Sequence, residues 1–503
     1  MTNTEKWQEL CGLLEEIEAY SRCIGKVQFD MECTAPAEGI ERAGEDMSIL
    51  GKRLYELSHS PRYQALLTEL HADSDGLTPV QRKAVEHLYT DYARTKNISA
   101  ALSFEMDQAA NRAYGDWLRA KKADDFSLFR DSLAALIGYA RERIDLRDGE
   151  RQGSYYDVCL SDMEKGASIA QLDSFFDALR ERIVPLLKRI QTEGRPLRED
   201  FLSRPVPLHR QEAMSRYLLE LEGLRQSALV LATTEHPFTD NYGPTDVRVT
   251  THYYEESFIS NLFTTMHEGG HALFMQNEPE ELYRNHCDNR MTNAMHETIS
   301  RFYENLIARS EAFVDFVLPK LKELSGGVFD DITARELYEA ANAVHAGALR
   351  LEADELSYCL HILVRYELEK AFVNGEITVD EIPALWREKY RAYLGVDPQG
   401  DAEGCLQDVH WCGWDFGYFP SYALGNAYGA QILHRMKQDF DVDAAVRAGQ
   451  LGKLLDWLRE HVFSIASLST PDEWIRAISG ESLNVNYFLD YLEEKYTRLY
   501  DLK

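Results

Sequence analysis

A chain of 503 residues can hold one large core or two to three ordinary domains, and 45% hydrophobic with 27% charged residues is a soluble globular composition. Acidic residues outnumber basic ones 84 to 54, for a formal charge of -30. That argues against nucleic acid as the main partner, because binding a phosphate backbone needs a basic surface.

Helical periodicity dominates the chain from its start. Trp7, Leu10, Leu14 and Ile17 recur at helical spacing, and further stretches follow over 35–73, 85–93, 91–122 and 125–147. These first ~150 residues are expected to form a helical subdomain over a cleft. Gly149 and Gly153 mark a connection. Helix resumes near Ala170, and Pro185 is expected to bend or restart it. Residues 209–234 read as one long helix. The one clear extended signal is Asp246–Tyr253, DVRVTTHY, which alternates and is β-branched, so a small sheet is expected there. Helical pattern returns over 256–277, 290–316, much of 333–373 and 382–393. Residues 395–420, rich in Gly and aromatics, read as a loop region of an active site. Helices over 421–437, 446–467, 472–478 and 486–500 close the chain. The expected fold is mainly α, a single body over 1–503 with its active-site core within 236–430.

No apolar run approaches the ~20 residues needed to cross a bilayer. The first twenty residues lack the basic-then-apolar order of a secretory signal. A cytoplasmic protein with no membrane partner is therefore expected. The eight cysteines form no CxxC pair and are read as reduced, with Cys359 a small core residue.

The chemistry concentrates at His267-Glu268-Gly269-Gly270-His271. Residues four apart share a helix face, so His267 and His271 can grip one metal ion, with Glu268 beside them as proton acceptor for water. Phe258, Leu262, Phe263 and Met266 supply a face that buries this helix. Each glycine costs about 1 kcal/mol in a helix relative to Ala, which implies that something approaches the backbone closely, a substrate strand or a neighbouring helix. A catalytic zinc site needs a third protein ligand. Glu278, Glu280, Glu281, His286, His296, Glu297 and Glu304 are the candidates. Glu297, on the next helix 26 residues beyond His271, is the choice. His296 is its rival, as a ligand or as a partner behind one. Zinc suits such donors, and cobalt also accepts them.

Several motifs in order resemble the thermostable carboxypeptidase (Taq) family of metallocarboxypeptidases, peptidase family M32. They are His236-Pro237-Phe238, Asp246-Val247-Arg248-Val249-Thr250, HEGGH, His296-Glu297-Thr298, Leu349-Arg350 leading to Asp354, Gly404 to Trp411, and Gly417 to Tyr422. The resemblance implies a helical zincin-like fold with a deep cleft, a homodimer, and stepwise removal of C-terminal residues with broad specificity except at proline. It implies His267, His271 and Glu297 as metal ligands and Glu268 as general base. Arg350 would bind the free C-terminal carboxylate of a peptide substrate, and His410 and Tyr422 would contact substrate and stabilise the intermediate. Thr298 and Ile299 stand where the family commonly has Ser and Gln, which bears on packing more than on the ligand.

Read from residue types alone, Arg350 sits in a helical run and would pair with Glu352 or Asp354. The resemblance reverses that preference, since a rigid guanidinium fork suits a carboxylate. Arg248 is the second candidate for substrate, or else it braces the site through an ion pair with Asp246. Tyr418 and Phe419 read as core beneath the loop. Two other functions stay open: a zinc oligopeptide endopeptidase on a similar scaffold, and a non-catalytic peptide binder.

Overall fold

The computed structural model describes residues 1–503. Three helices at its centre, Phe258–Asn277, Glu355–Asn374 and Phe419–Asp439, are buried on nearly every side. A helix surrounded in this way belongs to the interior of a large body. Around them one core extends from Ala109 to Leu502. A second, smaller core joins Trp7, Leu10, Leu14, Leu66, Leu70 and Val85 of the N-terminal helices to Leu282 and Cys287. The fold is mainly helical with one small sheet. No helix is long and apolar enough to cross a membrane.

The sheet has three strands, β1 (Leu229–Thr233), β2 (Thr239–Asn241) and β3 (Val247–Thr251), in the order β1-β3-β2. β3 runs parallel to β1 and antiparallel to β2, so Arg248 stands opposite both Val230 and Asp240. The extended reading of 246–253 holds. The long helix expected over 209–234 does not. It ends at Leu221, Gly223 turns the chain at φ +96°, and Leu229–Thr233 becomes β1. A short apolar run such as ALVLAT suits a buried strand and a buried helix equally, and pairing with β3 decides it.

Three more expectations need correction. The helix expected over 290–316 is α-helical only over Asn293–Arg301 and widens into a π-helical stretch, Phe302–Ala308. Ser310 then caps a separate helix, Glu311–Ser325. Pro185 does not restart its segment, because one helix runs from Ile169 to Glu193 with the proline inside it. Arg350 is not in a long helix. It opens a single 3-10 turn, Arg350–Glu352, and the helix proper starts only at Glu355. There the Asp354 carboxylate accepts the Ser357 backbone N–H at 2.8 Å, a standard helix start.

Candidate metal centre and substrate cleft

The helix Phe258–Asn277 carries His267 and His271 on one face and packs against Asn293–Arg301, which carries Glu297. The paired glycines explain how close the two come. A Cβ on Gly270 would lie 2.6 Å from Ser300 Cα and 2.7 Å from the Ile299 carbonyl oxygen. From another helix, Phe419–Asp439, a Cβ on Gly425 would lie 2.9 Å from Glu297 Cγ. Glycines thus let backbone press on this helix from two neighbours. Of the two occupants expected at the HEGGH glycines, Gly270 meets the neighbouring helix. Gly269 instead faces the buried carboxyl of Glu222.

The donor atoms of His267, His271 and Glu297 all lie within 4.8 Å of one another. Glu297 Oε2 stands 3.8 Å from His267 Nε2 and 3.4 Å from His271 Nε2. Tetrahedral zinc with bonds near 2.0–2.1 Å sets neighbouring donors about 3.3 Å apart, so the set fits the ion.

The other ring nitrogens are held from behind. His267 Nδ1 is 2.9 Å from Glu304 Oε2, and His271 Nδ1 is 2.6 Å from His296 Nδ1. Such backing fixes the tautomer and aims Nε2 inward. His296 therefore stands behind a ligand, outside the cluster. Burial, followed by the neighbouring His271, pushes its pKa down to about 3 and keeps it neutral. Glu304 comes within reach of His267 on the π-helical turn, a distortion often found at functional sites.

Arg301 ties the acids together. Its Nε donates to Glu297 Oε1 at 2.7 Å and its Nη1 to Glu304 Oε2 at 3.1 Å. Burial pushes the Glu304 carboxyl up, but Arg301 and His267 outweigh it and hold the pKa at about 2. The same balance, again with Arg301 the main opposing charge, keeps Glu297 ionised far below the usual carboxylate range. Glu268 is buried beside the cluster, and its Oε2 accepts the Thr239 hydroxyl of β2 at 2.7 Å. The sheet therefore orients the carboxylate.

A second group sits on the loop and helix that follow. Arg350 is buried and pairs with Asp408, not with Glu352 or Asp354. Its Nε and Nη2 donate to Asp408 Oδ1 at 2.9 and 2.8 Å, and its Nη1 to the Tyr358 hydroxyl at 3.1 Å. Arg365 grips the other oxygen of Asp408 at 2.7 Å. A guanidinium has five N–H groups, so Arg350 keeps one free on each terminal nitrogen. His410 Nε2 and the Tyr422 hydroxyl share a hydrogen bond of 3.2 Å, and the Arg350 guanidinium lies 5.2 Å from the centre of the Tyr422 ring. Tyr422 precedes Gly425 by three residues and so shares the helix face that meets Glu297. Burial pushes His410 down to about 4 and the Tyr422 phenol well above its ordinary value. Both side chains are neutral at pH 7, and the phenol keeps its proton.

Comparison with known proteins agrees with this geometry. The family model for carboxypeptidase Taq (M32) metallopeptidases matches residues 9–496. The chain belongs to that family. It is 37% identical over 494 residues to carboxypeptidase 1 of Bacillus subtilis, covering 98% of each chain. It is 33% identical to thermostable carboxypeptidase 1 of Thermus thermophilus, covering 99% of this chain and all of that one. The crystal structure of an M32 carboxypeptidase from Deinococcus radiodurans superposes with a TM-score of 0.94 at 28% identity, over 99% of this chain and 100% of that one. Family and His-His-Glu cluster together make this chain a zinc-dependent metallocarboxypeptidase.

The M32 fold brings HEGGH, Glu297 and Thr239 into one cluster and Arg350, Asp408, His410 and Tyr422 into another. Arg248 is engaged elsewhere. It pairs with Asp246 at 2.9 Å and lies 4.9 Å from the ring centres of Phe29 and Tyr242, bracing β3 against the N-terminal helix Asn3–Cys33. Phe419 is core, as expected, while Tyr418 is only partly buried and packs edge-on to Tyr422 at 5.2 Å. Sequence reasoning missed Thr239, Arg301 and Asp408. Arg301 was findable, since it follows Glu297 by four residues on one helix face, while Glu304, a candidate ligand, stands behind His267 instead. Thr239 carried no signal of its own.

Proposed function

We propose that this metallocarboxypeptidase cleaves the last peptide bond of free-ended peptides, with Arg350 as the reader of the chain end. The observation that carries this is the free edge of the Arg350 guanidinium, held rigid by Asp408 and Tyr358 beside Tyr422. A carboxylate accepts two parallel N–H bonds from such an edge, whereas an endopeptidase needs no group of this kind. Arg248 is the lesser candidate for substrate contact, because it pairs with Asp246 and packs against Phe29 and Tyr242, bracing β3 against the N-terminal helix.

His267, His271 and Glu297 would hold the metal. Bound there, zinc acidifies a water and polarises a carbonyl. Glu268, oriented by Thr239, takes the proton of the attacking water and delivers it to the departing amine nitrogen. Tyr422 donates its phenolic hydrogen bond to the oxyanion that develops on the substrate, and neutral His410 supports it. Cleavage at a free C-terminus in this scheme releases one residue per turnover.

The test is a pair of peptides that differ only in a C-terminal amide. The free-ended peptide should be trimmed and the amidated one spared. Equal rates on both would refute the role of Arg350 and favour the endopeptidase reading. Three finer readings rest on the family: broad specificity with poor action at proline, a homodimer, and a cytoplasmic site of action. A peptide panel, light scattering and cell fractionation test them in turn.

A further inference from the structure

His410 is poorly anchored by its own side chain. Nε2 has only the Tyr422 hydroxyl, and Nδ1 is buried with no hydrogen-bond partner. Packing against the Phe419 ring at 4.6 Å steadies it, and the rest of its placement comes from the backbone on either side. On one side, two residues back, Asp408 is gripped by Arg350 and Arg365. On the other side the chain is held by a carboxylate that lies outside the site, Glu369 on helix Glu355–Asn374.

Glu369 is fully buried. Its Oε1 accepts Trp411 Nε1–H at 2.8 Å. Its Oε2 accepts the Gly417 backbone N–H at 2.9 Å and the Tyr156 hydroxyl at 2.8 Å. Trp411 follows His410 directly, and Gly417 precedes Tyr418. One carboxylate therefore pins both ends of the segment that separates His410 from Tyr418. Gly417 also sits at φ +88°, where a Cβ would lie 2.8 Å from the Cys159 backbone, so this end cannot shift toward helix Tyr155–Met163. A carboxylate has acceptor sites for all three donors. Its neutral isostere does not match them: the amide oxygen of glutamine takes two, and its NH2 group then faces the remaining N–H.

We propose that Glu369 is a positioning residue for hydrolysis, holding His410 and Tyr418 in register with Tyr422 through Trp411 and Gly417. This rests on the role given to His410 above. Misplacing a reacting group by about 1 Å costs up to roughly 100-fold in rate, so E369Q should lower kcat by roughly tenfold or more. KM should stay within about twofold, because Arg350 keeps Asp408 and Tyr358, and zinc content should be unchanged.

The experiment measures kcat, KM and bound zinc on a free-ended peptide for wild type, E369Q, W411F, the double variant and H410A. W411F removes the N–H while keeping an aromatic ring against Phe372, and it carries the test alone should E369Q fail to fold. Both single variants should lose kcat selectively. The double variant should be no worse than the weaker single, since both break one hydrogen bond and coupled residues are not additive. Full kcat in W411F or E369Q overturns the proposal, as does loss of zinc in parallel with kcat. Full kcat in H410A refutes the role of His410 itself. Loss in H410A without loss in W411F refutes only the proposal about Glu369.

Discussion

Replacing Gly270 by alanine would drive a methyl group into the backbone of the helix that carries Glu297. The new Cβ would sit 2.6 Å from Ser300 Cα and 2.7 Å from the Ile299 oxygen, where ordinary contact begins at 3.4 Å. The helices must therefore separate by about 0.8 Å, because neither neighbour is a side chain that can swing away. Overpacking of this kind costs about 1–3 kcal/mol, and the better helix propensity of Ala returns about 1 kcal/mol. The metal-free protein should thus lose only about 0–2 kcal/mol of stability. The metal site should suffer far more. Zinc tolerates about 0.2 Å in its bond lengths, and Glu297 would move by several times that. Disturbing even the groups behind a ligand weakens metal binding by roughly 10–100-fold, so Gly270→Ala should fall at least that far. Competition with a chelator measures the affinity, and the unfolding midpoint of the metal-free protein separates it from global stability. A variant that binds zinc as tightly as wild type and keeps full activity would refute the close-packing argument.

Other expectations follow from the same geometry. Glu268→Gln should lower kcat by roughly 100- to 10,000-fold with zinc retained; full-rate hydrolysis would mean that the base is misassigned. Arg350→Ala should lower kcat/KM on free-ended peptides by roughly 10–100-fold, the worth of a charged hydrogen bond of about 1.5–3 kcal/mol, without creating activity on amidated ones. The stability of the junction between N-terminal helix and body should depend on pH. His286 Nδ1 lies 2.6 Å from Glu18 Oε1. Burial opposes its charging, but Cys11 and the Glu18 carboxylate prevail and raise its pKa to about 9. A raised histidine stabilises fully below its unfolded value of about 6.5, and that contribution disappears as pH rises through about 9. Calorimetry should show the wild-type midpoint falling over this range more than that of His286→Gln; parallel curves would remove His286 from the account.

Much of the site was legible because helices translate spacing into geometry. His267 and His271 four apart and a glutamate on the next helix needed no tertiary information. The two HEGGH glycines announced close approach, and Gly270 delivers it against Ser300. What stayed hidden depends on contacts between distant segments. Thr239 meets Glu268 only because β2 folds against the active helix. Arg350 seemed to belong with Glu352 or Asp354, since local acids are all that a sequence displays, yet its partner Asp408 lies 58 residues away. β1 was lost for a similar reason: nothing within Leu229–Thr233 says that β3 will pair with it. The π-helical turn that brings Glu304 to His267 breaks no sequence rule and leaves no local mark.

The central claim is that His267, His271 and Glu297 hold one zinc ion that serves stepwise removal of C-terminal residues. The most direct test strips the protein of metal, titrates zinc back, and follows one free-ended peptide by mass spectrometry. Activity should return at one zinc per chain, and the products should shorten by single C-terminal residues. Internal fragments, or undiminished hydrolysis by the metal-free chain, would contradict it.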